Sequence, residues 1–189
     1  GGGSSVAGSA APPTLHSVTA ADALSLYDVP PSTATGPDRV SYNTLIAAFA
    51  RCGEPLWAES AFSSLVQHGL EPDQCSYSTV ISAHSRAGNI SRAQLWLSWM
   101  IESGIRPDTV TFNTLCSAYA RIGDARSALA CFHVMIDEGI TASSTTHAIM
   151  VHALVQAGDL AAAEMTLRTL VEQGAQLSAS SFNSLVTTY

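Results

Sequence analysis

A stretch of 35 residues, Arg39 to Asp73, recurs three more times without insertion or deletion and then begins a fifth time. The copies open with Val40-Ser41-Tyr42-Asn43, Cys75-Ser76-Tyr77-Ser78, Val110-Thr111-Phe112-Asn113, Thr145-Thr146-His147-Ala148 and Ser180-Ser181-Phe182-Asn183. Pro72-Asp73 and Pro107-Asp108 close the first two, and Ala142-Ser143 and Leu177-Ser178 stand in their place in the next two. One glycine column holds Gly53, Gly88, Gly123 and Gly158, and a second holds Gly69, Gly104, Gly139 and Gly174. Between them runs an alanine column of Ala58, Ala93, Ala128 and Ala163. Columns kept in register over four copies define a stacked repeat array, in which each unit packs on its neighbours and the chain has no single central core.

Within the first unit, Leu45, Ile46, Phe49 and Ala50 recur at helical spacing, and Gly53 falls where a helix ends in a left-handed residue. A second helix follows at once. Pro55 suits its first turn, and the later copies place Asn89, Asp124 and Asp159 where a side-chain oxygen can cap the opening amides. This helix is expected to turn Ala58, Phe62, Leu65 and Val66 inward and to end before Gly69, with Pro72 blocking continuation. The small alanine column lets the two helices of a hairpin approach closely. The same pattern returns as Val80, Ile81, Leu97 and Met100, then Leu115, Cys116, Phe132 and Met135, then Met150, Val151, Leu167 and Leu170. The expected units are residues 39–73, 74–108, 109–143, a divergent 144–178 and a truncated 179–189.

Residues 1–38 are rich in Gly, Ala, Ser, Thr and Pro without Lys or Arg, which reads as a low-complexity leader. A weak helix from about Thr19 to Tyr27 and the placing of Ala23 and Gly36-Pro37-Asp38 fit a decayed earlier repeat, cut short by Pro30-Pro31. The chain starts at Gly1 and stops part way through a fifth unit, so it reads as a fragment. The cysteines Cys52, Cys75, Cys116 and Cys131 have no CxxC spacing and read as buried apolar thiols. No apolar run approaches the roughly 18 residues that span a bilayer.

A 35-residue helical hairpin with the opening Val40-Ser41-Tyr42-Asn43-Thr44-Leu45-Ile46 or Val110-Thr111-Phe112-Asn113-Thr114-Leu115, a mid-unit Gly, a central Ala and a closing Gly-x-x-Pro-Asp resembles the pentatricopeptide repeat. The tetratricopeptide repeat differs in its 34-residue period and in the Trp and Gly of its first helix. The resemblance covers Arg39 to Tyr189 and implies an all-α fold, a right-handed superhelical solenoid of stacked antiparallel helix hairpins. It also implies a non-catalytic module whose partner is single-stranded RNA, read one base per unit.

Charge placement agrees with a polyanionic ligand although the chain carries −7 overall. The first fourteen positions of every unit contain no Asp or Glu, and Arg39, Arg51, Arg86 and Arg121 are their only formal charges. Arginines spaced one repeat apart on such a face can follow phosphates. The resemblance implies that Arg51, Arg86 and Arg121 contact the RNA backbone, while Gln156 breaks the column. Their alternative role is to offset the dipole at a helix C-terminus, worth roughly 0.3–1 kcal/mol.

In the family, base choice resides at the fifth and last positions of a unit. Asn43 with Asp73 then implies uridine, Ser78 with Asp108 guanine, and Asn113 with Ser143 a pyrimidine with cytosine favoured. Ala148 with Ser178 assigns no base, and Asn183 leans towards pyrimidine. Val40, Cys75 and Val110 would wedge between bases, their alternative role being packing at the helix start. The implied ligand is U-G-(C/U)-N-(C/U), and family resemblance points to post-transcriptional processing in a mitochondrion or plastid.

No motif points to other chemistry. His147 and His152 are five residues apart and so do not share a helix face for metal. His84 shares the column of Phe49 and Tyr119 and reads as a packed ring, and Asp137-Glu138 precede a turn and face water. Trp57, Trp96 and Trp99 fall on second helices, where packing between repeats accounts for them. No nucleotide loop or nucleophile motif occurs, so no cofactor, metal or small-molecule substrate is expected and no membrane partner. The alternative reading is a protein-binding helical scaffold, or a targeting module for a catalytic domain outside the chain.

Overall fold

The computed structural model describes residues 37–172. The leader with its expected helix, Gly174, Leu177, Ser178 and the fifth unit with Ser180 and Asn183 lie outside the described residues, as does the Leu170 side chain. Eight helices follow one another: α1 (Arg39–Cys52), α2 (Pro55–Gln67), α3 (Gln74–Arg86), α4 (Ile90–Glu102), α5 (Thr109–Arg121), α6 (Ala125–Asp137), α7 (Ser144–Gln156) and α8 (Leu160–Glu172). Each odd-numbered helix begins 35 residues after the previous odd one, and the even-numbered helices keep the same step. The expected all-α array of helix hairpins is thus the observed one, and every regular element among the described residues is a helix.

Helix boundaries follow from local chemistry. Asp38, Asp73, Asp108 and Ser143 cap α1, α3, α5 and α7, each side chain accepting from the backbone N–H three residues on. A cap of this kind is worth about 1 kcal/mol. Gly53 closes α1 at φ 78°, a left-handed conformation that a Cβ would strain. At the second helices capping is uneven. Asp124 and Asp159 accept from Ser127 N and Ala162 N, but Asn89 makes no side-chain cap bond, contrary to expectation. Pro55 occupies the opening of α2, where no amide hydrogen is needed.

Ala58, Ala93, Ala128 and Ala163 are all fully buried, which is the close approach their size predicted. Leu45, Ile46, Val80, Ile81, Leu115, Cys116, Met150 and Val151 fill the first-helix side of the core, and Leu65, Leu97, Met100, Met135 and Leu167 fill the second-helix side. Phe132 is only half-buried. Val66 departs from expectation and is 49% exposed. Ala58, Ala61, Phe62 and Leu65 complete the buried stripe, and Val66 falls past its edge. Cys116 is buried and Cys131 half-buried, but Cys52 and Cys75 are exposed, so the expectation of four buried thiols holds only in part. Both exposed thiols stand near a helix end, beyond the buried stripe of their helix.

Successive first helices pack on one another, α1 on α3, α3 on α5 and α5 on α7, whereas α2, α4 and α6 each pack on their own partner and on the following first helix. The first helices therefore form one continuous layer, the inner layer of the array. Aromatic rings join the first two units: Phe62 meets Tyr77 and Trp96 edge-on at 4.8 and 4.7 Å, and Trp96 meets Trp99 at 5.1 Å. Beneath them Glu59 Oε1 accepts from Trp96 Nε1 and Arg92 Nε, both at 2.6 Å, and Oε2 accepts from Arg92 Nη2 at 2.7 Å. His84, with no exposed surface, places Nε2 2.9 Å from Glu59 Oε1. The packed ring expected in that column is present.

Candidate functional site

The inner layer brings together residues far apart in sequence. Asn43 on α1 and Asp73 at the start of α3 meet side chain to side chain, Asn43 Nδ2 donating to Asp73 Oδ1 at 3.1 Å. Arg39 Nε lies 3.2 Å from Asp73 Oδ2. Partial burial pushes the Asp73 carboxyl up, but bonds from the Ser76 amide and Asn43, with Arg39 beside it, hold it below the ordinary carboxylate range. It is an anion at neutral pH.

Ser78 and Asp108 line one open groove with Arg51, Arg86 and Val110, its floor formed by Ala47, Thr79, Ser82, Thr111 and Thr114. The two do not bond each other. Ser78 Oγ donates to the Cys75 carbonyl at 3.3 Å, and Asp108 Oδ1 accepts from the Thr111 amide and hydroxyl at 2.8 and 2.7 Å. Asn113 is half-buried, and its Oδ1 is enclosed without a hydrogen bond. Ser143 instead caps α7 and pairs with Thr146. The predicted partners are thus bonded in the first unit, neighbours in the second and unbonded in the third. Asn183 lies outside the described residues.

Val40 and Val110 are 67% and 69% exposed, and Cys75 is exposed too. Packing at the helix start does not use these side chains, which leaves apolar groups exposed at the starts of α1, α3 and α5. Arg51, Arg86 and Arg121 are exposed at the ends of α1, α3 and α5. Arg51 and Arg86 share one groove and form no ion pair or hydrogen bond among the described residues. Arg121 differs, since its Nη2 donates to the Ser85 carbonyl at 2.6 Å, and it lines the next groove with Thr145, Ala148 and His152. The helix-end role considered for these arginines is therefore visible at Arg121.

Reading the sequence missed Ser76. Its hydroxyl lies 2.6 Å from Asn43 Oδ1 and 3.0 Å from Asp73 Oδ1, and it accepts from Asp73 N at 3.2 Å. The signal was present as an unbroken Ser or Thr column at the third position: Ser41, Ser76, Thr111, Thr146 and Ser181. Among the described residues no group of three or more His, Cys, Asp or Glu is placed to hold a metal ion, and no helix is long and apolar enough to cross a membrane.

Stacked 35-residue helix hairpins, whose first helices pack into one layer, define a modular helical-repeat protein. The model of the PPR repeat family matches residues 37–86, 72–121 and 107–156, and the chain belongs to this pentatricopeptide repeat family. Among solved structures it is similar to the pentatricopeptide repeat protein PPR10 from maize, with a TM-score of 0.72, 23% identity and 88% of this chain matched to 24% of that one. PPR10 in complex with an 18-nt psaJ RNA element aligns with a TM-score of 0.71 at 21% identity, over 82% of this chain and 23% of that one. The PPR domain of Arabidopsis thaliana protein-only RNase P 1, in complex with tRNA, aligns with a TM-score of 0.70 at 16% identity, over 89% of each chain. The chain thus spans about a quarter of the length of PPR10. No curated protein matches the sequence.

Proposed function

We propose that this chain is a sequence-specific, single-stranded RNA-binding module that acts in post-transcriptional processing and reads one base per repeat. The observation that carries the reading is the groove in which Arg51 and Arg86 face Ser78, Asp108 and Val110. It joins free cations one repeat apart, a polar base-facing pair and an exposed apolar wedge, the three groups that a stacked, splayed polynucleotide requires. Similarity to PPR domains solved with RNA and with tRNA supports it. The preferred ligand is U-G-(C/U)-N-(C/U), read 5′ to 3′ from the first described unit to the fifth. The family resemblance supports an organellar setting, in a mitochondrion or plastid. Fluorescence anisotropy with this pentanucleotide in a longer strand, against a scrambled strand of equal composition, tests the function. Equal affinity for the two overturns it.

The scaffold reading has its own supporting feature. Val66 and Trp99, 49% and 41% exposed, line an open groove with Phe62, Trp96 and Glu102 among the second helices. Protein capture at this face that survives loss of RNA binding would favour that reading.

A further inference from the structure

The bonds around Asn43 form a closed ring. Asn43 Nδ2 donates to Asp73 Oδ1 at 3.1 Å, the single Ser76 hydroxyl proton goes to Asn43 Oδ1 at 2.6 Å, the shorter of its two contacts beside Asp73 Oδ1 at 3.0 Å, and Asp73 N donates to Ser76 Oγ at 3.2 Å. Each end of the amide is therefore held by a different partner. Turning it over would put Asn43 Oδ1 against the Asp73 carboxylate, which only accepts. Asp73 cannot swing away, because Oδ1 also takes the Ser76 amide at 2.9 Å and Oδ2 faces Arg39 at 3.2 Å. What remains for a ligand is one N–H on Nδ2 and one lone pair on Oδ1, in a fixed order along the amide edge.

The third unit lacks this closure. Its hydroxyl at the matching position, Thr146 Oγ1, lies 3.0 Å from Ser143 Oγ and accepts from Ser143 N, and Asn113 Oδ1 has no partner. The same amide is thus clamped in the first repeat, which ends in Asp73, and unclamped in the third, which ends in Ser143.

We infer that Ser76 is a positioning residue for base choice by the preceding repeat: it fixes the Asn43 amide so that the first unit distinguishes uridine from cytidine. The inference rests on the RNA reading above and deepens it, because the first repeat's selectivity then depends on three residues, one of them in the next repeat. Ser76 has no exposed surface and cannot touch a base itself, so it acts only through Asn43 and Asp73.

The test compares wild type, Ser76→Ala and Ser76→Thr in the full chain. Affinities are measured for RNAs that vary only at the first base and for RNAs that vary only at the second or third, below the melting temperature of every variant. Ser76→Ala is expected to cut the uridine-over-cytidine preference at the first base about threefold to tenfold, the range one lost hydrogen bond allows. Ser76→Thr, which keeps the hydroxyl, should retain the preference, and choice at the second and third bases should not move. If Ser76→Ala weakens binding to all RNAs by one factor and leaves first-base choice intact, Ser76 only caps its helix and the inference falls.

Side-chain amide exchange by NMR separates the clamp from the RNA reading. The Asn43 N–H that Asp73 accepts should exchange more slowly than the free N–H of the same amide in wild type and Ser76→Thr, and the difference should narrow in Ser76→Ala, where the amide is held at one end only. Equal exchange of the two in wild type refutes the clamp even if RNA choice is present. A protected amide in a wild-type chain without first-base preference refutes base reading at this repeat, and the proposed role of Ser76 with it.

Discussion

Asn43 and Asp73 stand thirty residues apart in the chain and 3.1 Å apart in the fold, because a 35-residue period returns the chain to the same edge of the inner layer. The pair is local to one repeat and one groove. Replacing both with serine, Asn43→Ser and Asp73→Ser, keeps an oxygen to cap α3 but removes the amide and the anion. Base choice should relax at the first nucleotide alone, a result read from affinities for an RNA set varied one position at a time. An equal loss for every RNA would contradict modular reading.

Among the described residues the Arg51 and Arg86 side chains make no ion pair or hydrogen bond, whereas Arg121 is tied to Ser85 O at 2.6 Å. If all three neutralise phosphates, log K falls against log salt with a slope of about −2, at roughly 0.7 for each contact to a single strand. Arg51→Gln or Arg86→Gln should lower the slope by roughly 0.7 and leave the urea midpoint unchanged. Arg121→Gln should also reduce stability by about 1 kcal/mol, because it strips a charged donor from the end of α3.

Overpacking tests the alanine column. Ala93 has no exposed surface between α3 and α4, so Ala93→Leu should destabilise the array by roughly 1–3 kcal/mol in urea unfolding. Leu95, on the same helix and 49% exposed, is the control: Leu95→Gln should shift the midpoint by less than about 0.5 kcal/mol.

Acid should act through His84 before it acts through the carboxylates. Burial pushes the His84 imidazole below its ordinary 6.5, and the neighbouring Glu59 offsets this only in part. The unfolded chain therefore binds the proton more readily, and the stability contributed by His84 is present above about 6.5 and is lost as pH falls below it. Burial pushes the Glu59 carboxyl up, but hydrogen bonds from Arg92 and Trp96 outweigh it, so its contribution is lost in a later step below its ordinary 4.5. His84→Phe suits a column that holds Phe49 and Tyr119, and it should shrink the first step in chemical denaturation across pH. A remainder should persist from His147, whose imidazole burial also pushes down.

The architecture was legible because period, glycines and alanines report backbone constraints that each copy must meet alone. Ala58 or Gly53 needs no distant partner to be interpreted. The pairing of Asn43 with Asp73 was readable only through family resemblance, since no local rule links residues thirty apart. Ser76 escaped notice because a serine in the first turn of a helix looks like ordinary capping, and its bond to Asn43 exists only after two repeats stack. The cluster of Glu59, His84, Arg92 and Trp96 draws on three helices and leaves no trace in any one of them. Val66 misled for another reason: a valine at the border of an apolar stripe carries the same hydropathy whether it falls inside or out.

Asp38, Asp73, Asp108 and Ser143 each begin a helix. A residue at that site must hold extended backbone and offer a short side-chain oxygen, conditions met by Asp, Asn, Ser and Thr. If that residue also helps choose a base, the vocabulary open to selection has about four words, and helix initiation set it before any nucleotide arrived. Diversity in what such an array recognises must then come mainly from the fifth position, which begins no helix.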